Sequence, residues 1–396
     1  MAYVISIDER KEFAKTQPFN GKRVREARLY RGINQKDFAE LLGVKRQTVK
    51  AYEDNDLSSM GRETFNRMVE ILDFPKEFFV ESDNYELNSG TIFFRSLLTA
   101  KNQYKEEQAV KLAFIAKVIS YINSYLSFPK FEFPKYDASL TPEQAAQKLR
   151  EHWNLKEKPI KDIVYLVEDK GIIVNAFDSA TGDIDAYNQL ITYGEEKIHI
   201  IGYSKNKTSA ARIHFDIAHE LGHMMLHNPH IKIDKDDDKE YFKEMEDEAH
   251  AFAGAFLLPA EAFKKDVMGF ADNLSHYVFL KKKWRVSISA MIRRSYNLEL
   301  IDYKTYQSLM RKMQKQGIRK IEPLDDELYT AEPTLLKTAV KILLDEVLTP
   351  EEFMDELSNE YNFTISHREI ESLLDLPKDL LKSNQEAKVH MFQRKL

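Results

Sequence analysis

Cysteine is absent from the chain. None of its 396 residues can form a disulfide, a cysteine-ligated zinc finger or an iron–sulfur cluster, and thiol catalysis is excluded as well. Glycine (13) and proline (12) are scarce, which favours helices over turns and loops. No apolar run reaches the roughly 18 residues of a membrane-spanning helix, and the N-terminus lacks the pattern of a signal peptide. We therefore expect a cytoplasmic protein that does not contact membranes.

The charges are nearly balanced. Lysine and arginine together number 58, aspartate and glutamate 64, and the net charge is −6. That balance excludes a basic protein that coats nucleic acid and an acidic tail, but it permits one local basic face. The length corresponds to two or three domains.

Residues 34–56 have the pattern of a helix-turn-helix. An amphipathic helix ends at Gly43, where a helix C-terminus needs positive φ. A second helix begins near Arg46, with Val49 and Tyr52 facing inward. Two helices joined by a glycine-containing turn are typical of DNA-binding domains.

The exposed face of the second helix carries side chains suited to DNA. Arginine and glutamine can make paired hydrogen bonds with guanine and adenine edges, and basic residues of the preceding helix can contact phosphates. The expected DNA contacts are Lys22, Arg23, Gln35, Arg46, Gln47, Thr48 and Lys50, with Arg28 and Arg31 as further phosphate contacts. The alternative is a small protein-interaction domain with solvated charges.

An H-E-x-x-H motif runs from His219 to His223 within a helical segment at 210–228. Residues i and i+4 lie on one helix face, so both imidazoles can bind one cation. Glu220 lies beside them, placed to accept a proton from water that attacks a carbonyl group. The alternative is a helix with two exposed or capping histidines, but its apolar residues occupy another side, which favours metal binding.

A catalytic zinc ion needs a third protein ligand, which here must be histidine, aspartate or glutamate. The helical run at 244–259 offers Glu246, with Glu248 as the alternative. His250 shares a face with Glu246 and would orient a ligand or steady an oxyanion; otherwise it is a partly buried polar residue. His227, one turn beyond His223, is expected at the helix end.

Further runs accompany the motif, in order AQKLREHWNL, KPIKDIVYLVEDKGIIV, GDIDAYN, EDEAHAFAGAFLLPAEAF, WRVSISAMIRRSYNLELI and GIRKIEP. On these runs, residues from about 140 to 325 resemble the ImmA/IrrE family of metallopeptidases, and the FFRS run at 93–96 resembles the segment that often precedes this domain. The N-terminal run resembles Xre/Cro-like repressors over about 60 residues. Two positions depart from these patterns. Asn55 stands where a glycine is usual, and His250 where asparagine or aspartate is usual.

The resemblance implies an α+β, mostly helical chain in which a zincin-like (thermolysin-like) domain has a small twisted sheet above the motif helix. It implies His219, His223 and Glu246 as Zn²⁺ ligands and Glu220 as the base, with Mn²⁺ and Fe²⁺ still open. It also predicts that the KIHIIGY strand (197–203) is an edge along which substrate lies. The expected domains are a helix-turn-helix domain (1–82), a helical connector (83–139), a metallopeptidase domain (140–324) and a helical C-terminal region (325–396).

Two functions follow. Characterised members of the resembled family cleave a partner repressor during stress or induction of mobile elements, so the first is an operator-binding regulator that cuts a repressor-like protein. The second is a non-proteolytic regulator, antitoxin-like or sensory, with the metal domain as a scaffold. The presence of Glu220 favours the proteolytic function, because a site that only binds a metal requires the metal ligands but no general base. Helix-turn-helix proteins commonly dimerise on double-stranded operators, so a homodimer is one expected oligomeric state. The C-terminal helices are expected either to pack against the other domains or to mediate dimerisation or docking of a partner.

Overall fold

The computed structural model of the chain describes residues 19–55, 60–82, 87–89, 102–132, 134, 139–177, 186–193, 196–205, 209–227 and 239–383. It divides into two compact units. The first unit takes residues from 1–86, 106–126 and 336–396, and the second takes residues from 87–105 and 127–335. The FFRS run at 93–96 lies outside the described residues. The domain boundaries given above stay a prediction.

The described helices are α1 (Gly21–Tyr30), α2 (Gln35–Leu42), α3 (Arg46–Glu53), α4 (Arg62–Leu72), α5 (Asn102–Asn123), α6 (Pro142–His152), α7 (Ile163–Asp169), α8 (Ala210–Leu226), α9 (Lys239–Leu257), α10 (Ala260–Val267), α11 (Leu274–Trp284), α12 (Ile288–Asn297), α13 (Tyr303–Lys315), α14 (Leu335–Glu346), α15 (Pro350–Asn359) and α16 (His367–Leu373). A short 3₁₀ helix spans Lys76–Val80. The described strands are β1 (Leu87–Ser89), β2 (Ile173–Phe177), β3 (Ala186–Tyr193) and β4 (Glu196–Ser204). The predicted class, α+β and mostly helical with a small sheet, is confirmed.

Turn chemistry determines where the helices of the helix-turn-helix begin and end. The side chain of Asn34 caps α2 by accepting a hydrogen bond from the backbone of Asp37. Gly43 ends α2 at a φ of 71°, as its position in the sequence predicts. After α3, Asn55 adopts a φ of 66° and its side-chain oxygen accepts the backbone N–H of Gly21 at 2.5 Å. Asparagine therefore provides the left-handed turn in place of the usual glycine.

The C-terminal helices share a core with the helix-turn-helix in the first unit. The ring of Phe363 packs on Phe114 with centroids 4.8 Å apart, and Phe114 stacks on Tyr30 of α1 at 5.4 Å. Glu369 of α16 accepts hydrogen bonds from the Tyr30 hydroxyl at 2.6 Å and from Arg31 at 2.8 Å. These contacts support the packing role of this region; its part in dimerisation stays a prediction.

The described strands of the second unit form one sheet in the order β1-β3-β4-β2. β3 pairs antiparallel with β1 and β4, and β4 pairs parallel with β2. The KIHIIGY run lies in β4, between two neighbours, so the prediction that it is an edge strand open to substrate is wrong. Its residues from Ile200 to Tyr203 are all buried. Continuous burial is typical of an interior strand, whereas a half-exposed strand alternates between buried and exposed residues.

Helices cover the sheet and complete the core of the second unit. α8 contacts both β3 and β4 and packs most extensively on α9. α6 begins at Pro142, because Thr141 caps it in a reciprocal capping box and Pro142 occupies its first turn. The core includes Trp153, Ile217 and Phe252, all buried. None of the described helices combines the length and the apolar character needed to span a bilayer.

Candidate metal centre

The H-E-x-x-H motif lies in the C-terminal half of α8, with its polar side chains buried. His219 and Glu220 are each 1% exposed, and His223 is 3% exposed. The helix is regular, so residues four apart share a face and the Nε2 atoms of His219 and His223 lie 3.0 Å apart. The alternative of two exposed histidines does not match this geometry.

α9 brings a carboxylate to the two imidazoles. Glu246 Oε1 lies 3.2 Å from His223 Nε2, and Glu246 Oε2 lies 3.6 Å from His219 Nε2. α8 and α9 approach closely at Gly222, where an added Cβ would meet the Cα and carbonyl oxygen of Ala249 at 3.1 Å. A larger residue at position 222 would push the helices apart, so this glycine helps bring the carboxylate to the histidines.

These three side chains fit a zinc ion. Their ligand atoms lie within 4.8 Å of one another. Tetrahedral zinc with bonds of about 2.0–2.1 Å holds its ligand atoms roughly 3.3 Å apart, close to the separations of 3.0 to 3.6 Å observed here. Two imidazole nitrogens and one carboxylate oxygen also form the donor set of many catalytic zinc sites, which keep a fourth position for water or substrate.

A second group of possible ligands in the described residues is formed by His367, Glu371 and Asp379. The carboxylate of Glu371 already accepts the backbone N–H groups of Asp379 at 3.0 Å and Leu381 at 2.8 Å. This cluster closes the turn after α16, and we assign it a structural role.

Glu220 is held by an asparagine that the sequence analysis missed. Asn188 of β3 donates a hydrogen bond from Nδ2 to Glu220 Oε2 at 2.5 Å, and its side chain is also buried. The hydrogen bond fixes the orientation of the carboxylate next to the two imidazoles. No local pattern singles out Asn188, because β3 also contains Gln189 and Thr192.

Glu248, the alternative third ligand, does not join the cluster. Its Oε2 atom lies 3.0 Å from Nε2 of His227, and the other ring nitrogen of His227, Nδ1, lies 2.9 Å from Nδ1 of His223. His227 is the C-cap residue of α8, as its position predicts. Burial and the neighbouring His223 lower the pKa of His227.

His250 lies behind the ligands. Its ring centroid is 4.6 Å from that of His219, and its Nδ1 donates to the backbone carbonyl of Glu246 at 2.7 Å. That hydrogen bond fixes the ring relative to α9, one turn beyond the carboxylate. The geometry suits a group that orients the ligands; its participation in chemistry stays a prediction.

The predicted DNA-reading face is exposed on α3. The side chains of Arg46, Gln47 and Lys50 point to solvent, Thr48 is half-buried, and Lys22 is exposed at the start of α1. Val49 and Tyr52 are buried on the opposite side, as predicted. These five polar side chains are accessible to nucleic acid, and their contacts with DNA stay a prediction.

Inside the first unit, hydrogen bonds engage the other predicted DNA contacts, which are Arg23, Arg28, Arg31 and Gln35. Arg23 is 1% exposed and donates to Glu26 at 2.9 Å, and Arg28 is likewise buried and paired with Glu53. Gln35 also donates to Glu53, at 2.8 Å. The sequence pattern predicts exposed side chains for Arg23 and Arg28, but both are buried and bonded to carboxylates of the first unit. We therefore leave Arg23 and Arg28 out of the proposed phosphate contacts.

Comparison with family models agrees with both parts of this geometry. Residues 167–296, from α7 to α12, match the peptidase family described as the IrrE N-terminal-like domain. Residues 24–78 match the family described as helix-turn-helix. The chain joins a helix-turn-helix domain to an IrrE-like peptidase domain. No curated protein sequence is significantly similar to the chain. The chain is therefore a DNA-binding regulator with a metallopeptidase-like domain.

The IrrE-like domain contains a further buried histidine, His214. Its burial predicts that the folded state becomes less stable at acidic pH. The side chain is fully buried, and burial lowers its pKa to about 4. Unfolded histidine titrates near 6.5, so the unfolded chain takes up a proton first and the folded state loses stability as the pH falls below that value. Between pH 7.5 and 5, the wild type should lose roughly 2 kcal/mol more stability than His214→Leu.

Urea unfolding of the metal-free chain, followed by tryptophan fluorescence, measures this difference. The chain has two tryptophans, Trp153 and Trp284, and both lie in the second unit, so the signal reports the unit that contains His214. Equal losses in the wild type and the variant would show that His214 does not cause the acid sensitivity.

Proposed function

We propose that the chain is a cytoplasmic, operator-binding regulator whose IrrE-like domain is a zinc-dependent endopeptidase that cleaves a repressor-like protein during stress or mobile-element induction. The observation that carries the proposal is that the side chains of His219, His223 and Glu246 meet beside the buried carboxylate of Glu220. Metal binding alone accounts for the first three residues. The buried carboxylate next to them supports chemistry.

In this proposal, His219, His223 and Glu246 hold the zinc ion. Zinc in such a site supplies Lewis acidity towards a water molecule and a peptide carbonyl. Glu220 takes the proton from the water and later returns it to the leaving amine. Asn188 keeps the carboxylate of Glu220 aimed at the reacting atoms through the hydrogen bond to Oε2.

Transcript levels distinguish this function from that of a non-proteolytic sensor or antitoxin-like regulator. Cells would carry the wild type, Glu220→Gln or His223→Ala, and transcripts would be compared before and after stress. If the chain is a protease, both variants should lose the transcript response to stress. Glu220→Gln removes the general base, and His223→Ala removes a metal ligand. A response lost with His223→Ala but kept with Glu220→Gln would overturn the protease in favour of a metal-dependent scaffold.

For the DNA-binding domain, Gln47→Ala should reduce discrimination between operator and random DNA. A paired contact to a base is worth about 1–3 kcal/mol, which is roughly 5- to 150-fold in relative affinity. Gln47 is exposed, so its removal leaves the fold intact. Mobility-shift titrations at two salt concentrations, on operator fragments selected from the host genome, provide the measurement.

Lys22→Ala is the matched comparison. Loss of a phosphate contact should weaken binding to all DNA about equally and reduce the salt dependence by about one charge. If Gln47→Ala instead weakens all sequences equally, the assignment of Gln47 to base reading is wrong. The same titrations show whether the chain binds its operator as the proposed homodimer.

A further inference from the structure

A line of hydrogen-bonded side chains continues outward from the metal-centre ligands. His223 Nδ1 lies 2.9 Å from His227 Nδ1, and His227 Nε2 lies 3.0 Å from Glu248 Oε2. The side chain of His227 is 5% exposed and that of Glu248 43% exposed, so the line runs from the interior to the surface. We call these three residues, His223, His227 and Glu248, the relay. His223 lies on α8, His227 caps its end and Glu248 lies on α9.

The positions of the ring protons follow because each hydrogen bond needs one donor and one acceptor. The Nε2 atom of His223 faces His219 and Glu246, and a neutral imidazole that binds a metal through Nε2 carries its proton on Nδ1. That proton is donated to Nδ1 of His227, whose own proton must then lie on Nε2. There it is donated to the carboxylate of Glu248. Each hydrogen bond of the relay then has one donor and one acceptor.

We propose that His227 and Glu248 are positioning residues that fix the tautomer and ring orientation of His223 and thereby strengthen zinc binding. The proposal rests on the proposed function, whose metal ligands it extends. A carboxylate that accepts from a ligating imidazole makes that ligand more basic. Here the carboxylate of Glu248 acts through the ring of His227, which is buried, while the carboxylate itself lies at the surface.

Zinc affinity of the full-length chain tests the relay. Chains stripped with a chelator would be titrated with Zn²⁺ against a fluorescent zinc chelator at pH 7.5. We expect His227→Ala to weaken binding 10- to 100-fold, the usual effect of losing such a partner. His227→Gln should recover part of the loss, because its amide oxygen can accept the proton of His223. Glu248→Gln should give an intermediate loss.

Glu244→Gln is the matched control. It makes the same substitution one turn earlier on α9, at an exposed side chain, and should bind zinc like the wild type. Urea unfolding of the metal-free chains, followed by the fluorescence of the two tryptophans of the second unit, should show a cooperative transition in every variant. An affinity loss in a stably folded chain then reflects the relay and not a damaged fold.

A spectroscopic readout separates positioning from simple packing. In the zinc-loaded wild type with ¹⁵N-labelled histidine, His223 should carry its proton on Nδ1 and His227 on Nε2. In Glu248→Ala, His227 should lose its single tautomer while the fold is retained. A packing role would leave the tautomers unchanged.

Failure of the relay and failure of the proposed function would give different results. If the wild type binds zinc and both His227→Ala and Glu248→Gln bind it equally tightly, the relay is refuted and the proposed function stands. If His227→Ala fails to fold, unchanged affinity in Glu248→Gln alone refutes the relay. If the wild type itself does not bind zinc, the proposed function fails, and the relay fails with it.

Discussion

Replacing Glu220 by glutamine should reduce proteolysis by about 10²- to 10⁴-fold, the usual contribution of a positioned general base. The variant keeps the shape of the side chain, and its amide oxygen can still accept from Asn188. What it loses is the ability to take a proton from water. Zinc binding and DNA binding should persist, because Glu220 belongs to neither set of contacts.

The rate of product formation measures this effect. Purified, zinc-loaded chain would be added to lysate from host cells that lack the gene, and new protein N-termini would be quantified over time. Glu244→Gln, an exposed position on α9, should cut at the wild-type rate. If Glu220→Gln cuts as fast as that control, the base has been wrongly assigned.

Replacing Glu53 by alanine should destabilise the helix-turn-helix by about 3–5 kcal/mol, the usual cost of leaving one member of a buried ion pair alone. Arg28 Nε lies 2.5 Å from Glu53 Oε1, and both side chains are only 5% exposed. Gln35 donates to the same carboxylate at 2.8 Å. This carboxylate therefore joins α1, the start of α2 and the end of α3, and its removal leaves the Arg28 charge buried.

Hydrogen exchange of peptides from α1 to α3 measures this loss, because the chain has no tryptophan in the first unit. The control Glu40→Ala removes an exposed carboxylate from α2 and should exchange like the wild type. Tryptophan fluorescence should report unchanged stability of the IrrE-like domain in both variants. If the peptides of Glu53→Ala exchange hydrogen at the rate of the control, the ion pair contributes little to the stability of the helix-turn-helix.

The features that the sequence predicted are those set by local periodicity. Helical spacing alone places His219 and His223 on one face. A second helical pattern offers Glu246 as the third ligand, with Glu248 as the alternative. Turn chemistry likewise predicted the left-handed conformation of Gly43. Asn55, which departs from the usual glycine, adopts the same conformation because asparagine tolerates positive φ.

The features that the sequence did not predict depend on which distant segments meet. Asn188 lies on β3, and nothing local shows that β3 crosses α8 at Glu220. Sheet order likewise depends on pairing partners, so the interior position of β4 was missed. Arg23 has the pattern of an exposed basic residue, yet its partners Glu81 and the backbone of Asn362 are far along the chain.

Protein N-termini in host cells provide the most direct test of the central claim, that this metal centre cleaves a protein. Quantitative proteomics would compare cells that carry the wild type or Glu220→Gln, with and without DNA damage. The account predicts at least one cleavage product that appears only with the wild type, and its sequence identifies the substrate. Identical N-termini in both strains under every stress applied would contradict a protease and leave a DNA-binding regulator with a metal scaffold.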